Sequence, residues 1–175
     1  MEGKDYRACR WAAGVAWGLT ALYVLYCLLL VASIVWEAAG PEGREPLSVL
    51  GLRPYTPYAQ EGRFSSVPYF AGSLAESLLL CGAFWQSAAL FGGMRDGKTP
   101  FARGGWRRVR AAALCVGLTG VVPALADVAV GSFYGSCPTG HALRPDALAA
   151  AVLLWALAAV FAYGEALQQQ DDETL

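Results

Sequence analysis

Residues 21–32 read Ala-Leu-Tyr-Val-Leu-Tyr-Cys-Leu-Leu-Leu-Val-Ala and carry no charged side chain. They form the centre of an apolar stretch that runs from about Trp11 to Trp36. A helix needs about 20 apolar residues to cross the hydrocarbon layer of a bilayer. The apolar part of a cleaved signal peptide is only ~7–15 residues long, so this stretch is too long to be one. The sequence therefore predicts a transmembrane helix that stays in the mature protein.

Three further apolar stretches reach or approach the same length, at about 69–93, 111–131 and 147–167. Hydrophobic residues make up 56% of the 175-residue chain, and charged residues only 15%. A soluble domain of this size needs more polar residues to cover its surface. We therefore expect an all-α membrane protein, in which four transmembrane helices form one bundle and one domain.

The basic residues are distributed unequally between the two sides of this predicted bundle. The N-terminal tail holds three of the thirteen Lys and Arg residues, and the loop 94–110 holds six. The nine residues are Lys4, Arg7, Arg10, Arg95, Lys98, Arg103, Arg107, Arg108 and Arg110. Because Lys and Arg accumulate in cytoplasmic loops, the sequence predicts that both termini and the loop 94–110 are cytoplasmic.

The predicted outer loops are residues 37–68 and 132–146. The first is long and rich in proline, and within it residues 47–52 (Leu-Ser-Val-Leu-Gly-Leu) can form a short strand. We weigh two interpretations of this loop, an ordered lid over the bundle and a site for a ligand or partner. The second loop holds Cys137 and His141, which are too few ligands for zinc, so no metal site is predicted.

Small residues and one proline predict how the helices meet. Helices in lipid approach closely where small residues lie four apart or nearly so, because no hydrophobic force drives helix association there. Gly14 and Gly18 form such a pair in the first span, and Gly117 and Gly120 lie in the third. Pro123 has no N–H to donate to the carbonyl of Thr119, so the third span is expected to kink.

Three carboxylates lie within the predicted spans: Glu76, Asp127 and Glu165. A charge at mid-bilayer costs at least ~2.5–3.5 kcal/mol, and the sequence places no Lys or Arg at the depth of Glu76 or Asp127. If those two meet, they can bind a cation or relay protons. Alternatively, each reaches the outer interface or bonds a neighbouring helix. Glu165, at the inner end of the fourth span, is expected to pair with arginines of the basic loop, and Asp146 to cap the first turn of that span.

Basic and aromatic residues alternate in the predicted cytoplasmic loop. We interpret them as a surface for anionic lipid headgroups or for a protein partner, with about 1 kcal/mol from each basic residue near the headgroups. With a net charge of −1 for the whole chain, no direct nucleic-acid binding is expected. The residues of this surface are Arg95, Lys98, Phe101, Arg103, Trp106, Arg107, Arg108 and Arg110.

The same loop and the C-terminal tail resemble a known family. Its inner loop has a Gly-x-Pro-Phe-like element before a basic helix start; here Gly97-Lys-Thr-Pro-Phe is one residue longer. Residues 161–175 (FAYGEALQQQDDETL) are similar to its C-terminal signature. The remaining matching positions are Leu90, Phe91, Arg95, Arg107, Arg108 and Arg110.

The family is the bacterial membrane group catalogued as Domain of Unknown Function 2975. The resemblance implies a bacterial cytoplasmic membrane, four spans and a large first outer loop. It carries over no activity and no catalytic residues. Members are often encoded beside small helix-turn-helix regulators, which implies a transcription factor as a cytoplasmic partner.

Together these features favour a non-enzymatic regulator, sensor or accessory subunit of a larger membrane complex. The alternative is a small transporter or cation- or proton-binding protein that uses Glu76 and Asp127, and four helices would then need a homo-oligomer to enclose a pathway. No metal-ligand cluster, nucleophile with a base, or phosphate-binding glycine loop is found in the sequence. We therefore predict no catalytic residues, no metal and no cofactor.

Overall fold

The computed structural model describes residues 3–40, 47–48, 63–95, 104–134 and 143–173, and within them no strand occurs. Of the predicted strand at 47–52, only residues 47 and 48 are described, in neither helix nor strand. Cys137 and His141 lie outside the described residues. The helices are α1 (Gly3–Ala39), α2 (Arg63–Arg95), α3 (Gly105–Thr119), α4 (Val122–Tyr134) and α5 (Pro145–Glu173).

Four helical segments are long and apolar enough to cross a membrane: Arg7–Ala39, Val67–Gly93, Gly105–Val128 and Pro145–Gln170. The all-α fold with four transmembrane helices is thereby confirmed. The helices extend beyond the predicted spans, since α2 begins at Arg63 and α3 at Gly105, within the segments 37–68 and 94–110 that the sequence predicts as loops. The sequence assigns these segments to loops because they contain arginines. A helix that reaches the headgroup region keeps its arginine side chains hydrated, so the helix can continue through such a segment.

The third span is interrupted, as Pro123 predicts. α3 ends at Thr119, and the N–H groups of Gly120 and Val121 donate to carbonyls only three residues back, Gly117 at 3.0 Å and Leu118 at 3.1 Å. The interruption therefore comes just before the proline, at the glycine. Tight i−3 hydrogen bonds of this kind satisfy the last carbonyls of a helix whose next turn cannot continue.

The helices pack as a row. Among the described residues α1 packs only on α2, α2 also on α3, and α3 also on α5, while α4 lies against α2 and α3. In the most apolar window of each span, between 11% (α5) and 28% (the third span) is buried inside the protein. All four spans thus present long apolar faces, which is stable only where lipid or another protein covers them.

Close contacts define an antiparallel register. A Cβ on Gly117 would lie 3.2 Å from the Cβ of Ala151, and one on Gly82 would lie 3.3 Å from the Sγ of Cys115. Together with the contacts of Trp17 with Trp85 and of Gly104 with Glu165, these contacts place the beginnings of α1 and α3 and the ends of α2 and α5 at the same end of the bundle. We call this the basic end, because Arg7, Arg10, Arg107, Arg108 and Arg110 lie there, and the opposite end the far end.

The contact between α1 and α2 is aromatic and well packed. Trp17 meets Trp85 edge-on with ring centroids 5.0 Å apart, and Tyr23 stacks on Phe84 at 5.5 Å. The hydroxyl of the buried Thr20 donates to the carbonyl of Ala16 in its own helix at 2.8 Å. No buried side-chain N or O lacks a partner among the described residues, as an apolar surrounding requires.

The two predicted glycine pairs differ in what they contact. Gly117 and Gly120 do lie at tight contacts, where a Cβ on Gly120 would come within 3.0 Å of the carbonyl oxygen of Arg144. Gly14 and Gly18 have nothing within 4 Å of an added Cβ. The expectation that this pair packs within the bundle is therefore wrong, because α1 turns its glycine face away from α2.

Glu165 joins α5 to the start of α3. Its Oε2 accepts a hydrogen bond of 3.3 Å from the N–H of Gly104, the residue that caps α3 with a positive φ of 89°. An anionic acceptor is favourable there, because the first N–H groups of a helix have no partners and carry partial positive charge. Glu165 thus binds the backbone that leads into the basic helix start. No described arginine forms an ion pair with it, so the expected pairing with the arginines of the basic loop stays a prediction.

We expect Glu165→Ala to lower the free energy of unfolding by about 1 kcal/mol, since one charge-assisted hydrogen bond to a helix N-terminus is lost. Thermal unfolding of the purified protein in detergent measures the effect. Glu165→Gln keeps an oxygen acceptor and is expected to lose less than Glu165→Ala. Equal melting temperatures for the wild type and Glu165→Ala would contradict this role.

Candidate functional site

A cluster of three charged side chains lies at the far end, where α2 faces the beginning of α5. Nη1 of Arg144 donates to Oε1 of Glu76 at 2.7 Å, and Nη2 donates to Oδ2 of Asp146 at 3.2 Å. The side chain of Glu76 is 23% exposed, against 49% for Arg144 and 68% for Asp146. We call these three residues the far-end cluster.

The backbone of Arg144 is held on both sides. Its N–H donates to the carbonyl of Gly120 at 3.1 Å, and its carbonyl accepts from the N–H of Leu148 at 3.3 Å, in the first turn of α5. Pro145 follows as the first helical residue, a position where a missing N–H has no cost. The interruption of the third span and the start of α5 therefore fix the base from which the Arg144 side chain reaches α2.

The far-end cluster corrects one inference from the sequence. Glu76 was expected to have no cation at its depth, yet Arg144 lies within hydrogen-bonding distance. The reason is that α5 begins at the level of Gly120, so a residue assigned to the outer loop reaches the helix that carries Glu76. Asp146 lies inside the first turn of α5, one residue beyond its start, where its charge favours the helix N-terminus.

The cluster holds one cation between two carboxylates, a formal charge of −1 when all three groups are ionised. The hydrogen bond and charge of Asp146, with a further contribution from Glu76, raise the pKa of the Arg144 guanidinium above its usual value. The guanidinium therefore remains protonated at physiological pH. The arrangement ties α2 to α5 by a charge pair.

Asp127, the second predicted ligand residue, lies near the middle of α4 and is partly buried. α4 packs against α2, the helix that carries Glu76. The structure thus brings Glu76 to Arg144 and Asp146, while cation binding by Glu76 with Asp127 stays a prediction.

The predicted headgroup surface is in part a set of helix residues. Trp106, Arg107, Arg108 and Arg110 lie in the first two turns of α3. The guanidinium carbons of Arg107 and Arg110 lie 5.4 and 5.2 Å from the ring centroid of Trp106, within the range of a cation–π contact. Lys98, Phe101 and Arg103 lie outside the described residues, and Arg95 is the last residue of α2.

Arg110 also reaches α5, where its guanidinium carbon lies 4.5 Å from the ring centroid of Trp155. A cation over an indole face contributes about 0.5–2 kcal/mol, more where water is absent. This contact adds a second tie between α3 and α5 near the basic end.

Sequence reasoning missed two contributors, Arg144 and Trp155. Arg144 could have been found, because it directly precedes a Pro-Asp helix start and so lies at a span boundary close in depth to Glu76. Trp155 lies in an otherwise aliphatic and alanine-rich helix, and nothing in its local sequence indicates a cation as its neighbour.

Comparison with known proteins gives no match: no family model fits the chain, and no curated protein and no solved structure is similar to it. The resemblance to the Domain of Unknown Function 2975 group stays a prediction based on the quoted residues.

Proposed function

We propose that this multi-pass membrane protein is a non-enzymatic accessory or regulatory subunit that packs against a larger membrane protein through α1. The observation that carries the proposal is the outward face of α1. Gly14 and Gly18 have nothing within 4 Å of an added Cβ and lie on a face that no other described helix covers. Close helix approach at small residues is the usual mode of association in lipid.

The rest of that face has the character of a helix interface. Ala21, Leu25 and Ala32 follow the glycines at helical spacing and are exposed. Small residues at its centre allow a partner backbone to approach, while Leu25 supplies a side chain to pack into that partner. Between Gly14 and Ala32 the face contains no charged residue, so its contact there is with another apolar helix and not with a polar domain.

The proposal also includes the orientation of the protein in the membrane. The basic end faces the cytoplasm, because nine of the thirteen Lys and Arg residues belong to the tail and loop that lead into it. The far-end cluster then faces outward, and the acidic C-terminal tail faces the cytoplasm. In the bacterial cytoplasmic membrane that the family resemblance implies, a helix-turn-helix regulator is the corresponding partner for the basic end and tail.

The far-end cluster supports a subunit more than a transporter. A carboxylate that binds a transported cation needs oxygen ligands open to that cation. Oε1 of Glu76 is already 2.7 Å from a guanidinium nitrogen of Arg144. Cation binding at this position would have to displace a charge that the protein itself supplies.

To test the α1 interface, the tagged protein is purified from native membranes in mild detergent, and co-purifying membrane proteins are quantified. We expect the double variant Gly14→Leu, Gly18→Leu to lose at least about tenfold of its partner, since a clash at a close helix contact costs more than ~1.4 kcal/mol. Gly92→Leu is the matched control, because Gly92 on α2 also has nothing within 4 Å of an added Cβ.

Retention of the same partner by the double variant would contradict the proposal, as would an equal loss in Gly92→Leu. Melting of each purified variant shows whether the protein itself is intact. An added Cβ at each of these glycines has nothing within 4 Å, so the melting temperature is expected to stay at or above that of the wild type.

A further inference from the structure

A groove opens between α2 and α5 near the basic end. Both helices pack on α3 but not on each other among the described residues, so α3 forms the floor of the groove. The groove has a volume of about 350 Å³. Its apolar walls and floor include Leu80, Phe84, Ala112, Val116, Leu157 and Phe161.

The polar groups of the groove are few. Arg108 and the side chains of Gln86 and Ser87 line it, and no acidic residue of the described part of the chain does. The hydroxyl of Ser87 donates to the carbonyl of Ala83 in its own helix at 3.0 Å. Arg107 and Arg110 lie over the Trp106 ring, whereas no described residue forms an ion pair with Arg108. The groove therefore joins an apolar channel to a guanidinium at its basic end.

The size of the groove decides what can enter it. From Arg108 to Val116, α3 rises about 12 Å. An apolar cavity of about 150 Å³ already accepts a benzene molecule, so the observed volume suits a single flexible hydrocarbon chain.

We propose that this groove binds one anionic glycerophospholipid, with the phosphate on Arg108 and an acyl chain between α2 and α5. The charge complementarity is direct, since Arg108, the cation that lines the groove, attracts a headgroup of net negative charge. A guanidinium binds phosphate through two parallel N–H donors, which distinguishes this site from general attraction to the membrane surface.

Gln86 supplies a second polar group that suits a phospholipid. Gly82 of α2 lies opposite Cys115 of the antiparallel helix α3, so residue 89 lies opposite Arg108. Gln86 is three residues further from the basic end than residue 89, which is about 4.5 Å along the helix. In a glycerophospholipid the ester carbonyls lie just below the phosphate. The amide N–H groups of Gln86 are placed to donate to one of them, and the acyl chain then continues over Ala112 towards Val116.

Native mass spectrometry of the purified protein tests the site. Detergent-solubilised protein is titrated with phosphatidylglycerol and with phosphatidylcholine of identical acyl chains. The wild type is expected to retain one phosphatidylglycerol roughly tenfold more tightly than phosphatidylcholine, because the choline ammonium offsets the attraction of the phosphate to Arg108, whereas phosphatidylglycerol keeps a net negative charge. Arg108→Gln is expected to remove this preference, while Arg107→Gln, changed on the neighbouring residue outside the groove, keeps it.

A second pair of variants tests the acyl channel without touching charge. Leu157 lines the groove and is 43% exposed, so Leu157→Trp fills the channel from its rim and is expected to weaken both lipids. Leu153 on the same helix does not line the groove and is 72% exposed, so Leu153→Trp is the control and keeps wild-type binding. Unchanged melting temperatures show that the variants are folded.

Several results would overturn the proposal: equal retention of the two lipids by the wild type, equal effects of Arg108→Gln and Arg107→Gln, or equal effects of the two tryptophan variants. A dimer that forms in place of the lipid-bound monomer and disappears in Leu157→Trp would assign the groove to a second copy of the chain. A photo-reactive residue at position 157 that links mainly to a protein in native membranes would assign it to a protein partner. The lipid result is independent of the α1 interface, which lies on a different helix.

Discussion

Replacing Arg144 with alanine is expected to lower the free energy of unfolding by about 1–2 kcal/mol, between the values for exposed and for buried ion pairs. The substitution leaves the carboxylate of Glu76, only 23% exposed, without its guanidinium partner at 2.7 Å. It also leaves Asp146 without the cation that balances it. For a chain of 150–250 residues this corresponds to a fall in melting temperature of roughly 2–8 °C.

A double-mutant cycle separates the charge pair from the loss of side-chain packing. Glu76→Gln alone removes the charge that needs a partner, and the double variant Glu76→Gln, Arg144→Ala is expected to be more stable than Arg144→Ala. The coupling free energy from the four melting curves should be at least about 0.5 kcal/mol, as for residues in direct contact. Additive effects would show that Arg144 and Glu76 do not interact in the membrane-embedded protein.

The cycle also bears on the alternative function. If Glu76 bound a cation or relayed protons, Glu76→Gln would abolish that activity whatever stands at position 144. If the pair is structural, the activity of each variant instead follows its stability. The double variant is then closer to the wild type than Arg144→Ala. The two readings of Glu76 therefore predict opposite rankings for the same variants.

The four spans could be predicted because the property that decides them is local. A run of about 20 apolar residues must satisfy its own backbone hydrogen bonds in lipid, and a helix does so without reference to the rest of the chain. The interruption near Pro123 is local for the same reason, since a proline removes one donor from its own helix. These features need no knowledge of neighbouring helices.

The partner of Glu76 depends on how the helices are aligned with one another, so it could not be predicted from the local sequence. Its distance from Arg144 depends on where α5 begins relative to α2, and that position is set by the contact of Arg144 with Gly120. Residues 68 positions apart in the chain meet there. Counting residues from a predicted boundary places each residue in depth, but not around the helix axis or against a chosen neighbour.

The glycines illustrate the same limit. Gly14 and Gly18 fit the pattern of a close helix contact at least as well as Gly117 and Gly120 do. Only the second pair contacts another described helix, while the first faces outward. The pattern indicates that a helix can be approached closely; which helix approaches, and whether it belongs to the same chain, is decided by the arrangement of the whole row.

Gly120→Leu is expected to have the largest effect of any single substitution considered, a loss of about 3 kcal/mol or more in the free energy of unfolding. A Cβ at this position would lie 3.0 Å from the carbonyl oxygen of Arg144, 3.2 Å from that of Gly117 and 3.2 Å from Cγ of Leu148. Two of these three atoms belong to the backbone and cannot turn aside. Since Gly120 has a φ of −77°, the cost is steric and does not come from its own conformation.

Gly18→Leu is the matched control, with the same residue change at a glycine that has nothing within 4 Å of an added Cβ. In detergent, this variant is expected to melt at or above the wild-type temperature, because leucine favours a helix by up to about 1 kcal/mol over glycine. The opposite signs of the two effects follow from one difference, the presence of the Arg144 backbone beside Gly120. Because that backbone also positions the guanidinium, Gly120→Leu should abolish the coupling between Arg144 and Glu76 in the double-mutant cycle. Equal melting of the two glycine variants would mean that α5 does not begin against the interruption of the third span, and the far-end cluster would lose its geometric basis.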